Sequence, residues 1–249
     1  MLVAQSFTIA TSLEANPMKF RQNIQKQWQA WLLGYRFIQL VQAPYGDFAG
    51  IGKLAAVTSD RRNLQQIVEF LSQEPSCKQA LEKRSLLGKV DLAQLHQLPP
   101  ESLGHRYADH MLRNGFTPPP TRNQADNPYT FMGQHLGETH DIWHIVTGCD
   151  TDVSGEIKLQ AFYIAQIYPS KFWMALLAKN LLKTALEDPE HSHEHLEALV
   201  QGWALGKQAK PLFGIEWNQL WETPLSTLQS QLRIASQSQG SLLPSGCEA

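Results

Sequence analysis

Several things are scarce in this sequence, and each scarcity excludes something. Its three cysteines, Cys77, Cys149 and Cys247, lie far apart with no Cys-x-x-Cys pair. That excludes a cysteine-built zinc site and a disulfide framework, and it suits a reducing compartment. Neither charge sign dominates, since 21 Lys and Arg stand against 23 Asp and Glu. The broad basic footprint of a nucleic-acid binder is therefore missing, and no nucleic-acid partner is expected. Long apolar runs are missing too: Phe172 to Ala178 is broken by Lys179, far short of the ~20 residues that cross a bilayer. There is no Gly-x-Gly-x-x-Gly, no P-loop and no Gly-x-Ser-x-Gly elbow, so nucleotide-dependent and serine-hydrolase chemistry lack support. Met1 to Pro17 has no basic residue ahead of its apolar stretch, which reads as neither a secretory signal nor an Arg-rich transit peptide. A cytoplasmic protein is the expectation.

What is present is helical periodicity. Hydrophobic residues make up 43% of 249, enough for a sizeable core, and they recur at helical spacing almost everywhere while alternating strand patterns are rare. The pattern predicts an all-α fold: one domain of about ten helices over residues 17–235, with no substantial sheet. It lies between an N-terminal segment, 1–16, and a flexible Ser-, Gln- and Gly-rich tail, 236–249.

Individual helices can be placed. Ile24, Trp28, Trp31, Tyr35 and Ile38 form one stripe of a long first helix that stops before Pro44-Tyr45-Gly46-Asp47, where small-residue sequence around Gly50 and Gly52 begins. Leu64, Ile67, Val68 and Leu71 mark the next. Ser76 is expected to cap a segment from Cys77 to Arg84, and Leu92, Leu95 and Leu98 give a short helix ahead of Pro99-Pro100. A helix from Ser102 to Gly115 precedes a stiff loop at Thr117-Pro118-Pro119-Pro120, long enough to suggest a functional role. Asn127-Pro128 opens a helix that runs to Gly148, and the next begins near Gly155. Further helices are expected over Pro169 to Leu186, Ser192 to Gln208, Phe213 to Glu222, and after a Thr223 cap. Gly202 and Gly206, four apart, allow another helix to approach closely.

The sharpest chemical feature is His140-Asp141-Ile142-Trp143-His144, with Glu156 twelve residues after His144. Histidines four apart share a helix face, Asp141 sits beside them, and the short connection can bring Glu156 to the same spot. Two imidazoles with one or two carboxylates suit zinc with an open position, and they also suit non-haem iron. The competing reading is a capped or solvated histidine pair. Trp143 and Ile142 weigh against it, because they bury the helix and buried ionisable groups need partners.

Other polar clusters read as weaker. His191, Ser192, His193, Glu194 and His195 follow Glu187-Asp188-Pro189-Glu190 and are expected to be solvated in a loop and first helical turn. His105 and His110 flank a helix carrying Asp109 and could add distant ligands, but that requires further aligned carboxylates that the sequence does not show. Lys171, Lys179 and Lys183 fall on one side of a helix whose other faces carry Phe172, Trp173 and several leucines. Such a basic edge suits contact with an anionic membrane surface, whereas the plain alternative is a buried helix with lysines reaching solvent.

Taken in order, these motifs resemble the Coq4 family of ubiquinone biosynthesis. Its signature is His-Asp-x-x-His, eleven residues, then Glu, which residues 140–144 and 156 reproduce in type and spacing. Gly46-Asp47, Leu98-Pro99, Leu103-Gly104-His105-Arg106-Tyr107, Thr117-Pro118, Val153-Ser154-Gly155-Glu156-Ile157, and the stretch from Gly206 through Trp217 to Leu232-Arg233-Ile234 extend the likeness over roughly residues 45–234. Departures fall at His135-Leu136-Gly137, where the family is usually basic, and at Gln160 and Tyr163, where it usually has a carboxylate.

The resemblance implies a helical homodimer at the inner face of a membrane. It implies a divalent metal on His140, Asp141, His144 and Glu156, with zinc favoured over iron or magnesium, and a polyprenylated aromatic or isoprenoid lipid as ligand. Lys171, Phe172, Trp173, Lys179 and Lys183 would then contact lipid or membrane. The reaction it implies is replacement of the ring C1 carboxylate of a prenylated hydroxybenzoate by hydroxyl. The alternative is a non-catalytic isoprenoid-lipid carrier or scaffold for other quinone-biosynthesis enzymes.

Overall fold

The computed structural model describes residues 27–28, 31–32, 34–35, 37–39, 41–42, 48–58 and 60–234. The expected segment 1–16, the tail 236–249 and Ile24 of the first stripe lie outside them. Described residues between 27 and 42 are helical. Ten bounded α-helices follow: α1 (Phe48–Thr58), α2 (Arg61–Leu71), α3 (Pro75–Lys83), α4 (Leu92–Leu95), α5 (Leu103–Asn114), α6 (Pro128–Thr147), α7 (Val153–Gln166), α8 (Lys171–Glu187), α9 (Ser192–Gln208) and α10 (Leu225–Gln231). Among the described residues there is no strand, only isolated bridges at Ser85–Gln124 and Ser102–Pro224. The all-α expectation holds.

The helix ends follow from local chemistry. The Ser102 hydroxyl accepts from the His105 N–H to open α5, and Gly115 closes it in the left-handed region. Asn127 caps α6 through the N–H groups of Tyr129 and Thr130, Pro128 fills the first turn, and Gly148 closes it.

Four expectations change. Residues around Gly50 and Gly52 form α1, because packing of Ile51 and the fully buried Leu54 against Leu176 on α8 outweighs the low helix propensity of the glycines. Helix α3 starts at Pro75, so Glu74, not Ser76, is its capping residue. Only Trp217–Gln219 is helical within the expected Phe213 to Glu222 segment, as one 3-10 turn. Helix α10 begins after Pro224, since the Thr223 carbonyl accepts from the Leu103 N–H.

Helix α6 is the axis of the molecule, packing against α2, α3, α5, α7 and α10. Trp143, Tyr107, Phe131, Phe162, Phe213 and Trp217 supply the bulk of one core that runs from Ile67 to Ile234. On its far side α7 is crossed tightly by α9. A methyl group at Gly202 would collide with the Lys158 backbone, and one at Gly206 would lie 2.7 Å from the Ala165 methyl. The loop at 116–126 is tied down: Leu86 N–H donates to the Asn123 carbonyl, Gly88 N–H to Arg122 and Ala125 N–H to Arg84. These bonds hold residues 122–125, beyond the prolines at 118–120.

Candidate metal centre

Helix α6 presents His140 and His144 on one face, one turn apart, with ring centroids 4.8 Å apart. Helix α7 returns after Cys149 to Asp152, with Asp152 accepting from the Gly155 N–H as its cap. This connection is tight, because a side chain at Gly155 would collide with the Asp150 backbone. Glu156 is thereby delivered in the first turn of α7. One ligand atom from each of His140, His144 and Glu156 lies within 4.8 Å of the others.

The partners of His144 fix its chemistry. Its Nδ1 lies 3.0 Å from the Cys149 carbonyl oxygen, which can only accept, so Nδ1 carries the proton. Its Nε2 is buried, 3.3 Å from Glu156 Oε1, and makes no hydrogen bond among the described residues. Neutral His144 would therefore point a lone pair at a carboxylate oxygen. Two acceptors facing each other at that distance need a cation between them, either a proton or a metal ion. Without a metal, a proton shared by the pair would serve. Burial pushes the His144 pKa down, but Glu156, the Cys149 carbonyl and Asp141 outweigh it and hold the imidazole above its ordinary value. Burial likewise pushes Glu156 up, and its contact with His144 and the charges of His144 and His140 hold it below. The donor set thus fits a divalent ion.

Asp141 stands outside the group of three, with Oδ1 3.7 Å from His140 Nδ1. Its pKa is lowered, because His140, His144 and His110 together overcome burial. Three further groups gather at this place. Tyr107 and His110 come from α5, and Tyr163 from α7, two turns beyond Glu156. The Tyr107 and Tyr163 hydroxyls and His110 Nε2 are all buried with no hydrogen-bond partner among the described residues. Burial, aided by the charges of Asp141 and nearby glutamates, pushes both phenols well up, so both stay protonated donors. Burial also leads in holding His110 below its ordinary value. The His110 ring lies 6.4 Å from that of His144, whereas His105 stacks on His96 elsewhere. The sequence spacing could have pointed to Tyr163, seven residues after Glu156 on one helix face. On α5, His110 is one of the two histidines that the sequence offers as distant ligands, while Tyr107 carries no such signal.

The expected basic edge of α8 is not there. Lys179 and Lys183 are only 4% and 5% exposed, and Lys183 Nζ donates to the Val41 carbonyl and pairs with Glu187. The helical stretch ahead of α1 reaches that side of α8. Lys171 is exposed and paired with Asp60, while Phe172 and Trp173 pack against α1 and the core. The outward residues of α8 include Met174, Leu182 and Leu186, all apolar. The second histidine cluster also differs in part. His191 pairs with Asp188 at the surface, but His195 is buried, with its Nδ1 2.8 Å from the Thr184 hydroxyl.

A sequence model described as "Coenzyme Q (ubiquinone) biosynthesis protein Coq4" matches residues 22–238. The chain belongs to the Coq4 family. Among this Coq4 chain's relatives, the protein of Eremothecium gossypii named ubiquinone biosynthesis protein COQ4, mitochondrial, is 30% identical over 58% of this chain and 45% of its own length. The mouse COQ4 homolog is 28% identical over 72% of this chain and 68% of its own length. The chain thus spans about half of the fungal relative and two thirds of the mouse one. A crystal structure of a putative ubiquinone biosynthesis protein from Nostoc punctiforme superposes with a TM-score of 0.72 at 26% identity, covering 82% of this chain and 97% of that one. The relatives' names place those proteins in mitochondria, which differs from the cytoplasmic expectation. Among the described residues no helix is long and apolar enough to cross a membrane.

Proposed function

We propose that this Coq4 protein serves ubiquinone-type prenylquinone biosynthesis by holding a divalent metal, zinc in preference to iron or magnesium, on His140, His144 and Glu156, with Asp141 alongside. The supporting observation is the confrontation of His144 Nε2 and Glu156 Oε1 with the histidine tautomer set by Cys149. The side chains of His140, Asp141 and Glu156 are 34%, 30% and 29% exposed, so the cluster opens outward while His144 closes its floor. A substrate oxygen can approach from that side. A divalent ion held there supplies Lewis acidity toward a phenolate or carboxylate oxygen.

The reaction proposed is replacement of the C1 carboxylate of a prenylated hydroxybenzoate by hydroxyl with loss of carbon dioxide, a two-electron oxidation for which dioxygen is the acceptor because zinc is redox-inert, in company with other quinone-biosynthesis enzymes and as a homodimer. With Lys179 and Lys183 buried, peripheral contact with a membrane or an isoprenoid tail falls to apolar side chains. Exposed Trp28, Trp31 and Ile38, and Met174, Leu182 and Leu186 on α8, are available for it.

Elemental analysis tests the metal. Wild type should carry close to one ion per chain, and His140→Ala and Glu156→Ala should carry almost none while remaining helical. Equal metal in all three overturns the site. Incubation of metal-loaded protein with a prenylated hydroxybenzoate and oxygen tests turnover by release of carbon dioxide. If lipid co-purifies but no product forms at any metal loading, the carrier or scaffold reading replaces the enzyme.

A further inference from the structure

Beside the candidate ligands, three aromatic side chains form a stack that packing alone does not explain. Tyr163 on α7 lies between two indoles, with the Trp143 ring of α6 4.3 Å away at 7° and the Trp173 ring of α8 4.6 Å away at 10°. One end meets the centre, because the ring of His140 lies 6.1 Å from that of Tyr163 at 17°. The other end is Trp173, in the first turn of α8. Trp143 and Tyr163 are fully buried, whereas Trp173 is partly exposed.

Two polar atoms inside the stack are orphaned. The Tyr163 hydroxyl and Trp143 Nε1 are buried with no hydrogen-bond partner among the described residues. Tyrosine is a costly way to fill this place, since a phenylalanine ring would stack there and leave no donor unpaired. What indole and phenol offer over phenylalanine is the ability to give up one electron. Transfer between rings in van der Waals contact is fast, because tunnelling falls off exponentially with the gap. The orphaned atoms then have a consequence. An oxidised indole or phenol is trapped where it loses its proton, and neither Trp143 nor Tyr163 has a group to take one. Trp173 is the member of the stack that reaches water.

We propose that Trp143, Tyr163 and Trp173 form an electron-transfer path between the centre and the protein surface. An oxidant formed at the centre from dioxygen or a peroxide gains one electron from the stack. The hole passes outward to Trp173, which loses its indole proton to water and becomes a neutral radical. A thiol at the surface returns one electron and one proton, and two thiyl radicals so formed pair as a disulfide. Full reduction of dioxygen to water takes four electrons, and replacing a carboxylate by hydroxyl yields two, so two passages along the stack supply the remainder. The path goes beyond the proposed function, and it rests on the metal-binding reading for the place where the oxidant forms.

The test uses the full chain loaded with iron(II) and given hydrogen peroxide, with tert-butanol present to intercept radicals in bulk water. Peptide mass spectrometry maps the oxygen added. Trp173 should be oxidised about fivefold or more above Trp203, which is 45% exposed on α9 and reports radicals from solution. Zinc, which does not change oxidation state, should give no such pattern. Tyr163→Leu breaks the stack, and Trp173 oxidation should fall to the Trp203 level. Trp173→Phe keeps a ring but removes the outer station, so oxidation should move inward and rise severalfold at Trp143. Equal oxidation of Trp173 and Trp203 in wild type overturns the inference and leaves the metal site standing. Unchanged Trp173 oxidation in a folded Tyr163→Leu, or no rise at Trp143 in Trp173→Phe, overturns it as well. Failure of wild type to hold iron or zinc overturns the metal reading and this inference together.

Discussion

Among the described residues, two places gather three side chains of metal-ligating type within 4.8 Å: His140, His144 and Glu156 between α6 and α7, and Asp188, Glu190 and His191 at the corner between α8 and α9. By residue type they are nearly equivalent. Their surroundings are not. At the corner all three residues are at or near the surface, and His191 Nδ1 is satisfied by Asp188 in an ion pair that water screens. At the centre one imidazole is buried, its tautomer is set by a backbone carbonyl, and its remaining nitrogen faces a carboxylate. What distinguishes the two is thus a buried ring nitrogen that faces a carboxylate in a place where water cannot reach it.

The comparison breaks most decisively at His144. His144→Ala should lower metal affinity by more than about a hundredfold, measured by chelator competition, because it removes the ligand with the fixed tautomer. A loss of under threefold would make the two clusters equals.

pH sharpens the contrast next. In the metal-free protein the raised His144 pKa contributes stability that is complete below the ordinary value of 6.5 and is lost as pH rises through the folded-state value. The lowered Glu156 pKa contributes stability present above the ordinary value of 4.5 and lost as pH falls through its own folded-state value. The pair therefore stabilises most between roughly pH 4.5 and 6.5. Metal must displace the shared proton, so affinity should fall by about tenfold per pH unit on acidification below the His144 value. Thermal melts at pH 6 and 8 check both: zinc should raise the melting temperature more at pH 8.

Asp141→Asn should have a smaller effect, about three- to tenfold on metal affinity, since Asp141 lies outside the tight group and acts through His140. The smallest effect belongs to the corner. Asp188→Asn with His191→Ala should leave bound metal and the melting temperature unchanged within error. Loss of half the bound metal in that variant would invert the comparison.

Much of this was legible in the sequence, because caps and ligand spacing are local. Ser102, Gly115, Asn127, Pro128 and Gly148 mark the ends of α5 and α6, and the intervals from His140 to His144 and Glu156 bring the three candidate ligands together. What was illegible depends on distant helices. Lys179 and Lys183 read as a basic edge on their own helix, yet both are buried and Lys183 donates to the Val41 carbonyl. His110 gains meaning only when α5 lies beside α6, and α1 forms against glycine propensity because Leu54 finds Leu176. Such partners leave no periodic trace in their own segments.

The contact between α7 and α9 bears on the candidate metal centre from behind. Helix α7 carries Glu156 and Tyr163 toward the cluster, while Lys158, Phe162 and Ala165 meet the bare backbone of Gly202 and Gly206. The two glycines work as a backstop that sets the depth at which α7 rests. A larger residue there would push the whole helix forward, and Glu156 with it, by more than the ~0.2 Å tolerance of a metal–ligand bond. The focus of the centre is therefore set from the opposite side of a helix, by residues that touch no ligand.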